Sequence, residues 1–421
     1  MKMFFNHGIH RIHGTIVSLV LLFGVAVSAV AAEPGITVEA RQRYPWNGLV
    51  DLKFIITGES GTKYDTSFTA KDMVGGTNIA MKTIRKSNGV AAEEKEKLLP
   101  GTYNWIWDAA ADLPKDFKCE RMTVMGSAEQ SQGLYMVIDL SSGANSSKYP
   151  VSYLDAVPSG GWSDEYKTTK LVLRRIESGS FMMGSPSGES GRYSDETQHR
   201  VTLTKDFFIG VFEITQKQYA LVTGKTPCSS TSYGKGDAFP VHYVSYNDLR
   251  GATNGAKWPT SNIVDSSSFV GRLRTKTGLL EFDLPTEAEW EYACRSGTTG
   301  MYAGTGQMLS MGWCKKNASG KAHVVGGKTS NQWGLFDMHG NVQEWTRDWY
   351  NSRVSTSAVT DPAPNSSYAQ GCRVRRGGSW YDDADECRSA DRNHDSIADA
   401  LNSYPNHTSN ALGFRISLTI Q

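Results

Sequence analysis

The sequence predicts two domains: an all-β N-terminal sandwich of immunoglobulin-like kind, followed by an α+β domain. Three observations support this fold class. The chain has 421 residues, a length at which two domains are more common than one. Short strand-like segments separated by turn formers fill residues 33–157, whereas residues 170–421 are rich in glycine and contain helix signals. The 42 Gly, 11 Trp and 18 Tyr residues suit a loop-rich fold whose irregular backbone is held by buried rings.

The charge balance limits the classes of partner. The chain has 44 Lys and Arg residues against 43 Asp and Glu residues, which gives a net charge of +1. A general nucleic-acid-binding protein usually has an excess of basic residues on one face. We therefore expect no nucleic-acid partner.

Residues 1–32 have the pattern of a signal peptide. A polar and basic start precedes residues 15–30, which are almost uncharged, and small residues at 29–32 suit cleavage. The apolar run is shorter than the roughly 20 residues of a membrane-spanning helix. We expect a secreted, periplasmic or cell-surface protein without a membrane span after cleavage. The alternative is an uncleaved N-terminal anchor.

Alternating residues define the strands of the N-terminal domain, residues 33–157. Val50, Leu52, Phe54 and Ile56 share one face of a predicted strand, and residues 134–140 form another candidate. No cluster of potentially catalytic side chains occurs in this domain. The expectation is a spacer or adhesive module.

The predicted linker, residues 158–169, opens with a Pro-Ser-Gly-Gly sequence and leads into the α+β domain, residues 170–421. Two capping boxes predict helix starts in that domain. They are Thr215 with Gln218, and Thr286 with Glu289. Capping accounts for Glu289, so we expect a structural rather than a catalytic role for this acid.

Seven motifs follow one another in the second domain. They are FMMG (181–184), EIT (213–215), PVHYVS (240–245), LPTEAEWEY (284–292), GLFDMHGNVQEW (334–345), RGGSW (376–380) and GFR (413–415). Together they resemble the sulfatase-modifying-factor family, the formylglycine-generating-enzyme-like domain, over about residues 171–420. The resemblance implies a compact, irregular α+β fold related to C-type lectins.

The resemblance also implies a specific chemistry. Active members use O2 and copper to oxidise a cysteine of a sulfatase to formylglycine. Two cysteines that follow the GGS motif bind the copper. Here Tyr381, Asp382 and Asp383 occupy the region of the first cysteine. Carboxylates are hard ligands and bind Cu(I) poorly. We therefore expect no bound copper, and we assign no catalytic or cofactor-binding residue.

Two further features are implied by the resemblance. Cys294 and Cys387 match a structural disulfide of the family, whereas Cys119, Cys228, Cys314 and Cys372 have no assigned partner. The segment 334–345 matches a structural Ca²⁺ site. Its predicted ligands are the side chains of Asp337 and Glu344 and the carbonyls of Gly340 and Val342. The alternative is a plain turn with Glu344 as a surface acid.

The segment 380–410 is rich in Asp, Asn, Ser, Tyr and His, which suit recognition. We expect it to form an exposed surface that binds a protein or a glycan. The residues assigned to this surface are Trp380, Tyr381, Asp382, Asp383, Arg388, Arg392, Asn393 and His394. The predicted function is thus a non-catalytic ligand-binding or display protein. Alternatives are a formylglycine-generating oxidase with altered ligands, and an oxidoreductase that forms C–S bonds on iron.

Overall fold

The structure is a computed structural model that describes residues 35–43, 48–58, 63–92, 96–114, 122–130, 133–228, 230–364, 372–393 and 406–420. It divides the chain into two compact units, residues 1–132 and 133–421. The predicted signal peptide, Cys119 and His394 lie outside the described residues. Within the described ranges, no helix combines the length and the apolar character that crossing a membrane requires.

Antiparallel strands build the N-terminal unit. Its described elements are β1 (Gly35–Gln42), β2 (Leu49–Thr57), β3 (Tyr64–Asp72), β4 (Asn78–Ala80), β5 (Ile84–Lys86), β6 (Glu96–Leu98), β7 (Gly101–Asp108), α1 (Ala109–Asp112) and β8 (Met122–Gln130). One sheet has the strand order β1-β2-β7-β5. In the second sheet β3 pairs with β8 along its whole length and also with β4 and β6.

A single hydrophobic core lies between these two sheets. Val50, Leu52, Phe54 and Ile56 on β2 are each at most 2% exposed, which confirms the alternation in this strand. The ring of Phe54 contacts that of Phe68 on β3, with 4.8 Å between the ring centroids. Residues of both sheets belong to the same buried cluster. The unit is therefore a β-sandwich, and its immunoglobulin-like topology stays a prediction.

The C-terminal unit combines short strands with short helices. Its strands are β9 (Tyr135–Asp139), β10 (Val151–Leu154), β11 (Lys170–Ile176), β12 (Gly179–Met183), β13 (His199–Leu203), β14 (Phe207–Gly210), β15 (Phe282–Asp283), β16 (Gln343–Trp349), β17 (Val359–Thr360), β18 (Arg373–Arg376), β19 (Leu412–Gly413) and β20 (Ser417–Thr419). Its helices are α2 (Glu165–Thr168), α3 (Gln216–Thr223), α4 (Tyr246–Arg250), α5 (Phe269–Thr277), α6 (Glu287–Arg295), α7 (Met308–Met311) and the 3-10 helices Gly255–Lys257 and Ala384–Cys387.

Three sheets organise this unit. The largest has the order β10-β9-β11-β14-β20-β15, and two three-stranded sheets have the orders β12-β13-β17 and β18-β16-β19. The predicted boundary between the domains differs from the observed one. The sequence places residues 134–157 in the N-terminal sandwich, but β9 pairs with β11 of the C-terminal unit, and β10 pairs with β9. The predicted linker contains α2, whose Tyr166 is buried. The boundary therefore lies at Gly133.

Both predicted capping boxes are present. Thr215 and Gln218 cap α3, and the helix ends at Gly224 in a left-handed conformation with φ 76°. Thr286 and Glu289 cap α6, and Glu289 Oε2 accepts a hydrogen bond from the Thr286 backbone N–H at 2.8 Å. This geometry confirms the structural role of Glu289.

The C-terminal unit buries a series of arginine–carboxylate pairs. They are Arg250–Asp283, Arg376–Glu291, Arg388–Glu196, Arg392–Glu287 and Arg415–Glu344. A buried charge is tolerated when an opposite charge and further hydrogen bonds satisfy it. Arg415, for example, also donates to the carbonyls of Gly210 and Phe336. These pairs fix loops that are not held by the hydrogen bonds of helices and sheets.

Candidate functional site

The candidate site lies on the turn that follows β18. Gly377 and Gly378 adopt left-handed conformations with φ 96° and 65°. A Cβ atom at Gly378 would lie 2.6 Å from the Sγ atom of Cys387, so this position requires glycine. The sharp turn places Ser379 next to Asp382, and the hydroxyl of Ser379 donates to Asp382 Oδ2 at 2.7 Å.

Asp382 and Asp383 are held by specific contacts. Gln343 Nε2 donates to the same Asp382 oxygen at 2.9 Å, which leaves this carboxylate with a fixed orientation. The exposed Asp383 caps the 3-10 helix Ala384–Cys387 and lies 3.3 Å from Lys315 Nζ. Both acids are thus oriented by the protein, and Asp383 presents its carboxylate to solvent.

Two aromatic rings stack beside these acids. Trp380 is 4% exposed, its ring stacks on Tyr233 with centroids 5.9 Å apart, and its Nε1 donates to the carbonyl of Asn410 at 3.2 Å. Tyr381 is 67% exposed and meets Trp380 edge to face. We call Tyr233, Trp380, Tyr381, Asp382 and Asp383 the Tyr381 surface.

Sequence reasoning missed Tyr233 as part of this surface. The residue lies in a polar loop without periodic pattern, between α3 and α4, and its contact with Trp380 spans more than a hundred residues. No local signal in the sequence connects these two rings. The Tyr381 surface is therefore a product of the tertiary structure.

The prediction that Arg388 and Arg392 form an exposed ligand surface is wrong. Arg388 is fully buried and makes two hydrogen bonds to Glu196, at 2.7 and 2.6 Å. The Arg392 side chain is 5% exposed and binds both carboxylate oxygens of Glu287, at 2.6 and 2.9 Å. Their guanidinium donors are taken up by internal acceptors and do not face solvent as free ligand-binding groups.

Asn393 also has a structural role. Its backbone exchanges hydrogen bonds with that of Arg375, and its side-chain oxygen accepts a further bond from Arg375 Nη2 at 3.1 Å. Trp380 is buried, so its ring supports the surface from below rather than forming its exposed face. Among the predicted ligand residues in the described range, Tyr381 and Asp383 are exposed, and Asp382 beside them is half-buried.

The predicted disulfide between Cys294 and Cys387 is not formed. Both residues are fully buried free thiols. His339 contacts each of them: its Nδ1 bonds to the Cys387 carbonyl at 2.9 Å, and its Nε2 lies 3.8 Å from Cys294 Sγ. Ala303 N–H donates to the same Nε2 atom, so the proton of His339 is on Nδ1. Burial raises the pKa of Cys294 to about 12 and lowers the pKa of His339 to about 4.

The predicted calcium ligands lie in a region of excess buried carboxylate. Asp337 Oδ2 accepts from the Gly326 backbone N–H at 2.6 Å, whereas its buried Oδ1 has no hydrogen-bond partner. Both oxygens of Glu344 bind Arg415, each at 2.6 Å. Burial, together with the charge of Glu344, raises the pKa of Asp337 to about 6. The nearby Glu213 also has a pKa raised well above its usual range, mainly by burial and by Asp337.

Gly340 and Val342 are joined to this region through their backbones. Gly340 N–H donates to the carbonyl of Gly377, and Val342 N–H donates to Glu213 Oε1 at 3.0 Å. No three His, Cys, Asp or Glu side chains in the described part of the chain are arranged to hold a metal ion. A cation here would therefore need backbone carbonyls as well as carboxylates.

Comparison with known proteins identifies the family. The sequence profile of the sulfatase-modifying factor enzyme 1-like domain matches residues 163–420, and the chain belongs to this family. This assignment agrees with the seven ordered motifs and covers the observed C-terminal unit except for β9, β10 and the segment around them.

Individual relatives carry different names. The formylglycine-generating enzyme of Streptomyces coelicolor is 27% identical over 282 residues, which cover 57% of this chain and 87% of that protein. The inactive C-alpha-formylglycine-generating enzyme 2 of Bos taurus is 26% identical over 61% of this chain and 91% of its own length. Chaperone protein LppX of Paenibacillus barcinonensis is 29% identical over 50% of this chain and 78% of its own. Three longer relatives are matched over 19–38% of their length.

Reduction should leave the stability of the C-terminal unit unchanged, because Cys294 and Cys387 are free thiols. Alkylation of the denatured protein without reductant should label both residues, as measured by peptide mass spectrometry. Cys294→Ala should lower the free energy of unfolding by about 1–2 kcal/mol through the cavity it leaves, equally with and without reductant. A crosslinked peptide containing both cysteines would contradict the structure.

Proposed function

We propose that this protein is an exported, non-catalytic ligand-binding member of its family, with a protein or glycan bound at the Tyr381 surface. One observation carries the proposal. The turn after Gly378 presents Tyr381, Asp382 and Asp383, with Asp382 held by Ser379 and Gln343, where copper chemistry would need thiolates. Export rests on the signal-peptide pattern of residues 1–32.

The states of the thiols support a non-catalytic role. Every cysteine in the described part of the chain is at most 5% exposed. Burial raises the pKa of Cys228 to about 11 and that of Cys387 well above its usual range. Metal binding and nucleophilic chemistry both require the thiolate. Buried, protonated thiols of this kind are suited to packing.

The geometry of the Tyr381 surface suits recognition. The exposed ring of Tyr381 offers apolar area, and the oxygens of Asp382 and Asp383 accept hydrogen bonds. Because Asp382 is already held by two donors and Trp380 is packed against Tyr233, the surface loses little conformational freedom when a ligand binds. A rigid aromatic beside oriented polar groups is typical of binding surfaces.

The second candidate function is formylglycine formation. The family assignment and the similarity to the Streptomyces coelicolor enzyme favour it. It requires a pair of thiols near the Gly378 turn. Cys314 belongs to the same buried cluster as Cys387, and this pair would have to become accessible for copper to bind.

We also propose that a structural Ca²⁺ ion is bound near Asp337. The unpartnered Asp337 Oδ1 and the three buried carboxylates of Glu213, Asp337 and Glu344 support this proposal, since Arg415 compensates one charge. Glu344 is the weaker ligand candidate because Arg415 engages both of its oxygens. Gly340 and Val342 would supply carbonyl oxygens.

The copper-loaded protein should not convert a CxPxR peptide to an aldehyde in the presence of oxygen. The reason is that the described thiols are buried. Peptide mass spectrometry measures the product, with an active formylglycine-generating enzyme as the positive control. Aldehyde formation that is lost in Cys314→Ser or Cys387→Ser would establish the oxidase instead.

Tyr381→Ala should abolish binding of the protein or glycan ligand. Because the ring is mostly exposed, the variant should change the free energy of unfolding by less than about 0.5 kcal/mol. A glycan array measures binding of glycans, and co-purification from the native source measures binding of proteins. Leu280→Ala is the matched control, since Leu280 is also 67% exposed. Equal binding by the Tyr381 variant and the wild type would remove the Tyr381 surface from the proposal.

Calcium should raise the melting temperature of the C-terminal unit by about 5 °C or more when its concentration exceeds the Kd roughly 100-fold, and chelation should reverse the effect. Asp337→Asn should remove this response and raise the melting temperature measured without calcium, because it relieves carboxylate repulsion. Asp164→Asn, at an exposed position, is the control. If Asp337→Asn still shows the calcium-dependent rise in melting temperature, Asp337 is not a ligand of the ion.

A further inference from the structure

A second concave site lies away from the Tyr381 surface. It is a cavity of about 340 Å³ between the loop before β13, the end of β16 and the segment that follows the 3-10 helix Ala384–Cys387. Tyr193, Asp195, Tyr350, Glu386 and Asp391 contribute to its lining. We call it the Asp391 cavity. None of the family motifs used above accounts for it.

Asp391 is the distinctive residue of this cavity. It is 3% exposed, and its Oδ1 atom has no hydrogen-bond partner. Oδ1 forms a long ion pair with Arg388, whose Nη2 lies 3.7 Å away, beyond hydrogen-bond distance. Arg388 is already engaged by both oxygens of Glu196. Burial and the charge of Glu196 raise the pKa of Asp391 well above its usual range. A cation bound beside Oδ1 would offset this cost and stabilise the ionised carboxylate.

The surroundings of Asp391 are acidic. Asp195 and Glu386 line the same cavity, and the one arginine in its lining, Arg392, is bound through two hydrogen bonds to Glu287. Asp195 Oδ2 accepts a hydrogen bond from Tyr350 Oη at 2.7 Å and lies 3.6 Å from Arg392. Burial and the charges of Glu386 and Asp391 raise the pKa of Tyr193. The cavity therefore attracts positive charge.

We propose that the Asp391 cavity binds the ammonium group of a small primary amine, with Asp391 as its charge partner. An ammonium group carries three donors and a full positive charge, which match the Asp391 oxygen that accepts no hydrogen bond and the acidic lining. Tyr193 and Tyr350 also line the cavity, and the ring of Tyr350 already contacts a cation, the guanidinium of Arg392, at 5.0 Å. The volume lies at the lower end of the range for small-molecule sites, so the ligand is small.

A metal ion fits these residues less well than an organic cation. In the stretches that the structure describes, no group of three His, Cys, Asp or Glu side chains has the arrangement of a metal site. The lining also includes Tyr193 and Tyr350, whose apolar rings suit an ammonium group attached to a short apolar chain. The proposal is independent of the Tyr381 surface and holds whether or not the protein has oxidase activity.

Calorimetric titration of the full-length mature protein with n-butylammonium chloride tests the proposal, at ionic strength held constant with sodium chloride. Butan-1-ol and sodium butyrate are the neutral and anionic controls. Asp391→Asn removes the charge partner, and Ser194→Trp fills the cavity while keeping Asp391. Asp237→Asn, at an exposed ion pair elsewhere, is the matched control variant.

The wild type and Asp237→Asn should bind butylammonium and neither control compound. Asp391→Asn and Ser194→Trp should each weaken binding by about tenfold or more, because a charged hydrogen bond or the space for the ligand is lost. Circular dichroism checks the folding of both variants, and Ser194→Trp decides the outcome if Asp391→Asn does not fold. No binding by the wild type, or unchanged binding by both variants, would overturn the proposal.

Discussion

Pairing of buried arginines with buried carboxylates is the interaction on which the C-terminal unit depends. Its strands and helices are short, and several strands have two or three residues. Long loops of this kind cannot satisfy their polar groups by regular ladders. Arg388 and Glu196 instead join segments 192 residues apart, and Arg415 and Glu344 join the last strand region to β16. Removing one partner of such a pair costs about 3–5 kcal/mol, because it leaves a buried charge unpaired.

This constraint also determines which residues are available for binding. Arg388 and Arg392 lie in a polar segment whose composition indicates a recognition surface, but their guanidinium groups are needed inside. What remains accessible is the outer rim of the Gly378 turn, where Tyr381 and Asp383 face solvent.

The scaffold and the chemistry of the family are separable. The chain has the glycine turn, the capped α6 helix and the buried pairs, and it belongs to the sulfatase-modifying factor enzyme 1-like family. None of these features requires a thiol pair at the turn. Under the proposed function, carboxylates at the turn would change what the site can bind without disturbing what holds the fold together.

Local physics explains what the sequence by itself determined. The alternation in β2 and the capping boxes at Thr215 and Thr286 depend on residues within a few positions of one another, and each is present in the structure. The ordered motifs likewise indicated the family. Only the tertiary structure decided that β9 belongs to the second unit, because strand pairing is non-local. The same reason applies to Arg388, Cys294 and Asp391: residues distant in sequence determine whether a side chain is a surface ligand, a disulfide partner or a buried group without a hydrogen bond.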